Sequence, residues 1–264
     1  MSAPYTRFIA LGDSFTEGMC DEMVDGQFRG WADRTADVLA EGVDGFTYAN
    51  LAVRGKLIDQ VLAEQLPVAM KFIEGKSTLL SFHAGANDVL RPRYEASVTI
   101  PKYVESVRSL SKLGCTLILF TVAEKATGEG KTAKMWEERF STFNKAVREV
   151  AREVGAVLID WNKATFLVDR RFLAVDRLHL NDAGHHRVAS GVLQALGYPF
   201  DESWLTPLGP AEPVSKLAEA KDDFIWFTTF ALPWIWRRLR GRSSGDGRVA
   251  KFSEPIRWPR ANSR

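Results

Sequence analysis

Cysteine and histidine are scarce in this chain: Cys20 and Cys115 are its two cysteines, and it has four histidines in 264 residues. Two widely separated thiols in a chain long enough to bury its own core exclude a disulfide-stapled scaffold, and a reduced, cytosolic protein is the expectation. Charge of one sign is also lacking, the formal net charge being +2. The opening residues "MSAPYTRFIALGDS" have no basic leader, sustained apolar stretch or small-residue cleavage site, and read instead as a core strand. Long apolar runs are missing as well: "FIWFTTFALPWIW", from Phe224 to Trp236, falls short of the roughly 20 residues that span a bilayer and is interrupted by Pro233.

What is present is a rhythm. Short apolar runs at 7–11, 46–51, 77–83, 115–122 and 156–161 alternate with amphipathic stretches, as in βα units around a parallel sheet. Helices are expected between them. Trp31, Thr35, Val38 and Leu39 line the first, and Leu57, Ile58, Val61, Leu62 and Leu66 the second, which Pro67 should kink or end. The third is lined by Tyr103, Val104, Val107, Leu110 and Leu113. Trp136, Phe140, Phe143, Val147, Val150 and Val154 recur at helical spacing in the fourth, and a fifth helix spans 182–196. The expected fold is α/β, a flavodoxin-like doubly wound sheet of five parallel strands, whose sites form at the carboxyl ends of the strands. Residues 1–200 would form this domain and 201–264 a C-terminal extension. The polar loop 124–134 after the fourth strand is placed where a lid could hang, and its "GKT" lacks the earlier glycine of a phosphate-binding loop.

Four blocks follow strands. They are Gly12-Asp13-Ser14, "NLAVRGK" with Asn50 and Gly55, "GANDVL" with Gly85, Asn87 and Asp88, and "DRLHLN" with Asp176 and His179. A serine needs a base to take its proton, and imidazole is the usual one. Of the histidines, His83 ends an apolar strand and reads as a core residue, while His185 and His186 fall in the last helix, where a partly exposed role is expected. His179 has an acid three residues earlier, and Asp176 could fix its tautomer and stabilise the imidazolium. The alternative is a local Asp–His pair leading to a helix cap at Asn181 or Asp182. Acyl transfer also needs donors for the developing oxyanion, available from the Ser14 N–H, the bare N–H of Gly55 and the Asn87 amide. Asp13 is read as a local structural residue.

Together these blocks resemble the SGNH/GDSL hydrolases, whose four signature positions fall in order as Ser14, Gly55, Asn87 and His179 over residues 7–196. The resemblance implies a three-layer α/β/α sandwich and a catalytic set of Ser14, Asp176 and His179. It also implies an oxyanion hole from Ser14, Gly55 and Asn87, and no metal or organic cofactor. Phe15 stands where the GDSL form has Leu, which bears on pocket shape rather than chemistry. The expected function is a serine esterase cleaving small acyl esters through an acyl-enzyme. An acyltransferase or O-acetyl-sugar esterase on the same site is the alternative, and an acyl- or glycan-binding or membrane-surface module the non-enzymatic one.

The extension carries the chain's charge asymmetry. Residues 237–264 hold nine Lys or Arg against Asp246 and Glu254, about +7, leaving the rest near −5. The aromatic segment is expected to pack on the sheet domain or over an acyl pocket. Peripheral membrane contact is the other reading, and nucleic-acid binding is not expected.

Overall fold

The computed structural model describes residues 4–125, 130–163 and 169–260. Residues 126–129, the middle of the candidate lid loop, lie outside them. Six strands form the main sheet: β1 (Arg7–Gly12), β4 (Thr47–Asn50), β5 (Thr78–His83), β6 (Thr116–Phe120), β7 (Val157–Ile159) and β8 (Phe252–Arg257), in the order β7-β6-β5-β1-β4-β8. The first five run parallel, as the sequence pattern requires. A small hairpin of β2 (Met23–Val24) and β3 (Gln27–Phe28) projects after α1 (Ser14–Glu17).

Alternation along the central strands sets the two cores. Phe8 and Ala10 of β1 join a cluster with Trp31, Leu39, Ile118 and Val188, while Ile9 and Leu11 join Val107, Leu119, Phe143 and Val147 on the other face. Helices α2 (Gly30–Leu39) and α8 (Asp182–Leu196) cover the first face. Helices α6 (Ala96–Ser111) and α7 (Lys131–Val154) cover the second, together with α3 (Ile58–Gln60) and α4 (Leu66–Met70). Between α3 and α4, Val61–Gln65 winds as a π turn just before Pro67, where the sequence predicts a kink. Short α5 (Ala86–Val89) follows β5.

The connection β1–β4 crosses to one side of β1 and the connection to β5 returns to the other. The switch point of the sheet is therefore the carboxyl end of β1, where a crevice opens in such folds.

The extension departs from expectation in two ways. Residues 252–257 return to the sheet as β8, antiparallel to β4, so the sheet has six strands rather than five. The aromatic segment is helical: α9 (Lys216–Trp226), a π turn at Phe227–Ala231 and α10 (Leu232–Leu239) follow one another without a break. Half of the aromatics face outward, Phe224, Phe227 and Trp236 standing exposed together with Ile225, while Trp226, Phe230 and Trp234 are half-buried, Trp226 against the loop of Asp176.

What binds the returning tail is Lys251. Its buried ammonium donates to Asp33 Oδ1 (2.8 Å) and to the carbonyls of Phe28 (2.7 Å), Arg29 (2.9 Å) and Glu17 (3.3 Å). Asp33 in turn accepts from the Tyr48 hydroxyl at 2.8 Å. Removing the ammonium would leave a buried carboxylate and three carbonyls under-satisfied. Lys251→Ala is expected to destabilise the protein by about 3–5 kcal/mol in urea unfolding; a loss within about 0.5 kcal/mol would mean that the tail is not held this way.

Candidate active site

Strand β1 ends at Gly12, with φ +153°, and a Cβ there would lie 2.6 Å from the His83 carbonyl oxygen and 2.8 Å from Thr16 Oγ1. Only glycine fits this exit. The Gln65 side chain fixes it, accepting from Gly12 N–H and donating to Gly12 C=O, both at 2.8 Å. Asp13 then caps α1 by accepting from Phe15 N–H (3.1 Å), which makes Ser14 the first helical residue. Among the described residues neither the Ser14 hydroxyl nor its N–H has a hydrogen-bond partner.

Asp13 does more than cap. It is 2% exposed, and its carboxylate also accepts from Asn87 Nδ2 (2.9 Å) and lies 3.3 Å from His83 Nδ1. Asn87 Nδ2 donates its second hydrogen to the Lys56 carbonyl at 3.2 Å. Asn87 thus joins the neighbours of Ser14 and Gly55, and the blocks after β1, β4 and β5 converge. Both hydrogens of its amide are thus engaged.

Gly55 has φ +75° and an N–H without a partner among the described residues. Its missing side chain is used by the tail: a Cβ at Gly55 would sit 2.0 Å from Ser243 Oγ, and one at Gly245 1.9 Å from the Arg54 carbonyl oxygen. Arg54 is anchored to α1, with its N–H on Glu17 Oε2 (2.7 Å) and its guanidinium on the same carboxylate.

Asp176 and His179 lie in the loop before α8, closed by the Leu173–Leu180 bridge and the Ala174 N–H to His179 C=O bond (2.8 Å). Asp176 Oδ1 accepts from the N–H groups of Leu178 and His179, both at 3.0 Å, and its Oδ2 lies 2.6 Å from His179 Nδ1. Burial alone would raise the Asp176 pKa, but the hydrogen bond and charge of His179 outweigh it and hold the carboxyl down at about 2. An ionised Asp176 keeps the imidazole proton on Nδ1 and leaves the Nε2 lone pair free to accept a proton. His179 Nε2 has no partner among the described residues. The helix cap is separate: Asn181 Oδ1 accepts from Gly184 N–H at 3.0 Å.

Sequence reasoning missed the contact between the serine turn and this loop. Cys20 Sγ, just beyond α1, lies 3.8 Å from Asp176 Oδ2. Burial, and then the Asp176 charge, push its thiol up to about 12, so it is a protonated donor. Cys20, Asp176 and His179 offer ligand atoms within 4.8 Å of one another, a grouping that could hold a metal ion. The three are already bonded through one carboxylate oxygen, which suits a proton relay better than an open ligand set.

Phe15 is half-buried, its ring packing against His83 (4.5 Å), Phe120 (5.5 Å) and Trp31 (5.6 Å). One other reading changes. His185 is buried rather than partly exposed. Its Nδ1 accepts from Trp31 N–H (3.3 Å) and its Nε2–H donates to Met19 C=O (3.1 Å), tying α8 to the serine turn. His83, as read from the sequence, is a buried strand-end residue.

The structure thus places a serine on a strand-to-helix turn and a bonded Asp–His pair in a loop joined to the end of that turn through Cys20. The chain belongs to the GDSL-like lipase/acylhydrolase family, whose model matches residues 10–187, and by that membership is a carboxylic ester hydrolase. No curated protein sequence matches it significantly. Similar solved structures include an acetylxylan esterase from Geobacillus stearothermophilus (16% identity, TM-score 0.58, 76% of this chain and 97% of that one). An α/β hydrolase enzyme from the metagenome of Lake Arreo, Spain, is also similar (19%, 0.57, 73% and 95%). So is a protein of Parabacteroides merdae described as a GDSL-like lipase (18%, 0.59, 72% and 95%). At these identities the likeness is one of fold.

The buried His185 is expected to make folding stability fall in acid. Burial pushes its pKa down to about 4, against the pull of the Asp21 charge. The folded state therefore takes up this proton less readily than the unfolded chain, and stability present above about pH 6.5 is lost as pH falls towards 4. His185→Gln, which can still accept and donate, is expected to lose about 2–3 kcal/mol less stability than the wild type between pH 7 and pH 4.5 in denaturant titrations. Equal losses would show that His185 does not set the acid limit.

Proposed function

We propose that the enzyme cleaves acyl esters through an acyl-enzyme on Ser14, with His179 as general base and Asp176 as its orienting partner. The observation that carries this reading is the short Asp176–His179 bond, which leaves the far ring nitrogen unspent beside a turn bearing an unpaired serine hydroxyl. Ser14 Oγ attacks the ester carbonyl carbon as its proton passes to His179 Nε2. The carbonyl oxygen becomes an oxyanion, which the N–H groups of Ser14 and Gly55 and the Asn87 amide would stabilise, at the positive end of α1. Collapse of the tetrahedral adduct breaks the bond to the leaving alkoxide, which takes the proton from His179. Water then enters by the same relay, releasing the acid and restoring Ser14. Products assayed with an added alcohol or sugar acceptor distinguish hydrolysis from acyl transfer.

No hydrogen bond joins Ser14 to His179 in this structure, consistent with a site whose catalytic contacts tighten when substrate binds. Residues that act as one unit fail together. On p-nitrophenyl acetate, Ser14→Ala and His179→Ala are each expected to lower kcat/KM by at least about 10³-fold, and the double variant by no more than about threefold beyond either. Multiplicative losses in the double variant, or a single loss below about tenfold, would contradict the assignment.

A further inference from the structure

The helical arm formed by α9 and α10 is the feature the esterase reading leaves unused. Its outward side shows Phe224 (68% exposed), Ile225, Phe227, Ile235, Trp236 and Leu239 (70% exposed). A monomeric soluble protein seldom leaves so much aromatic and aliphatic surface together without a partner. The arm is amphipathic in charge as well as in hydropathy. Asp222 and Asp223 of α9, themselves largely exposed, each pair with Arg177, at 2.5 Å and 2.7 Å. The cations at the far end, Arg237, Arg240 and Arg242, are exposed. No helix among the described residues is long and apolar enough to cross a membrane.

The arm also leads to the candidate active site. Trp226 Nε1–H donates to the Asp176 carbonyl at 2.8 Å, and the Arg177 guanidinium lies 4.9 Å from the centre of the Trp226 ring. On either side of Asp176 and Arg177, Val175 (79% exposed) and Leu178 present further apolar surface. The turn that follows the arm rests on Gly55 through Ser243.

We infer that this surface is a docking face for an anionic lipid bilayer: the apolar side of α9–α10, with Val175 and Leu178, enters the interface while Arg237, Arg240 and Arg242 meet lipid phosphates. An apolar, aromatic-rich helical side bounded by arginines is the composition that lies in the headgroup region, where rings and cationic side chains are both accommodated. An apolar protein partner would not call for three exposed arginines at the end of the apolar residues. The arm's bonds to the backbone of Asp176 mean that lipid docking would set the candidate site at the bilayer surface. The docking claim itself does not depend on the esterase reading.

The test uses the full chain and sucrose-loaded vesicles of phosphatidylcholine, with or without 30% phosphatidylglycerol, in a sedimentation assay at low and at 0.5 M salt. Binding should be at least tenfold stronger with phosphatidylglycerol, weaken in high salt, and fall tenfold or more in Phe224→Ser/Trp236→Ser and in Arg237→Glu/Arg240→Glu. Circular dichroism and thermal melting of these surface variants should match the wild type. Hydrolysis of p-nitrophenyl acetate should also be unchanged in them, which separates a failure of docking from a failure of the active-site assignment. Absence of binding to anionic vesicles would overturn the inference, as would binding indifferent to the apolar pair. So would a stable dimer by light scattering that the same apolar substitutions dissociate and that does not bind lipid; the face would then belong to a second copy.

Discussion

The Asp13 carboxylate is the junction on which the candidate active site depends. Three loops leave the sheet at different strands, and nothing in a parallel sheet alone makes them meet with the precision that proton transfer and oxyanion binding require. Buried at the end of β1, this one side chain caps the helix that begins at Ser14, holds the Asn87 amide and lies beside the His83 ring. Asn87 reaches on to the carbonyl of Lys56, beside Gly55. A residue that reads in the sequence as a turn-former is thereby the part that sets Ser14, Asn87 and the Gly55 loop relative to one another. Asp176 plays the matching role on the other side, gathering two N–H groups, an imidazole and the Cys20 thiol.

Around these two carboxylates the C-terminal extension acts as an outer brace. It adds a strand to the sheet edge, seats Lys251 beneath the end of α1, lays Ser243 on Gly55 and hangs Trp226 on the backbone of Asp176. The tail therefore touches the serine turn, the Gly55 loop and the Asp–His loop. The same extension presents its remaining apolar and cationic side chains outward. One stretch of chain thus both braces the candidate site and carries the exposed apolar and cationic surface.

How much of this was legible follows from which interactions are local. Parallel strands buried on both faces leave unbroken apolar runs, so β1, β5 and β6 can be read directly, and the 3.6-residue period of α7 and α8 survives because each buries a single side. The blocks bearing Ser14, Gly55 and Asn87 were visible because each follows a strand, whereas Asp176 and His179 lie beyond two further turns after β7 and were visible through their spacing and the helix cap that follows. β8 was not, because "FSEPIR" carries a proline and two charges, a pattern tolerated at a sheet edge and indistinguishable in sequence from a polar tail. The roles of Asp13, Cys20, His185 and Lys251 were hidden for a different reason. Their partners are between 70 and 234 residues away for the bonds that matter, and no periodicity encodes such a meeting. Which rings of the aromatic segment are covered and which stand exposed was hidden for the same reason, since the cover of Trp226 is the distant loop of Asp176.

The central claim is that Ser14 is the nucleophile, and chemical trapping addresses it more directly than kinetics do. Treating the full-length protein with a p-nitrophenyl alkylphosphonate and mapping the adduct by peptide mass spectrometry should place a single phosphonyl group on Ser14, with loss of activity in step with its formation. An adduct on another residue, or full inactivation with Ser14 unmodified, would contradict the account.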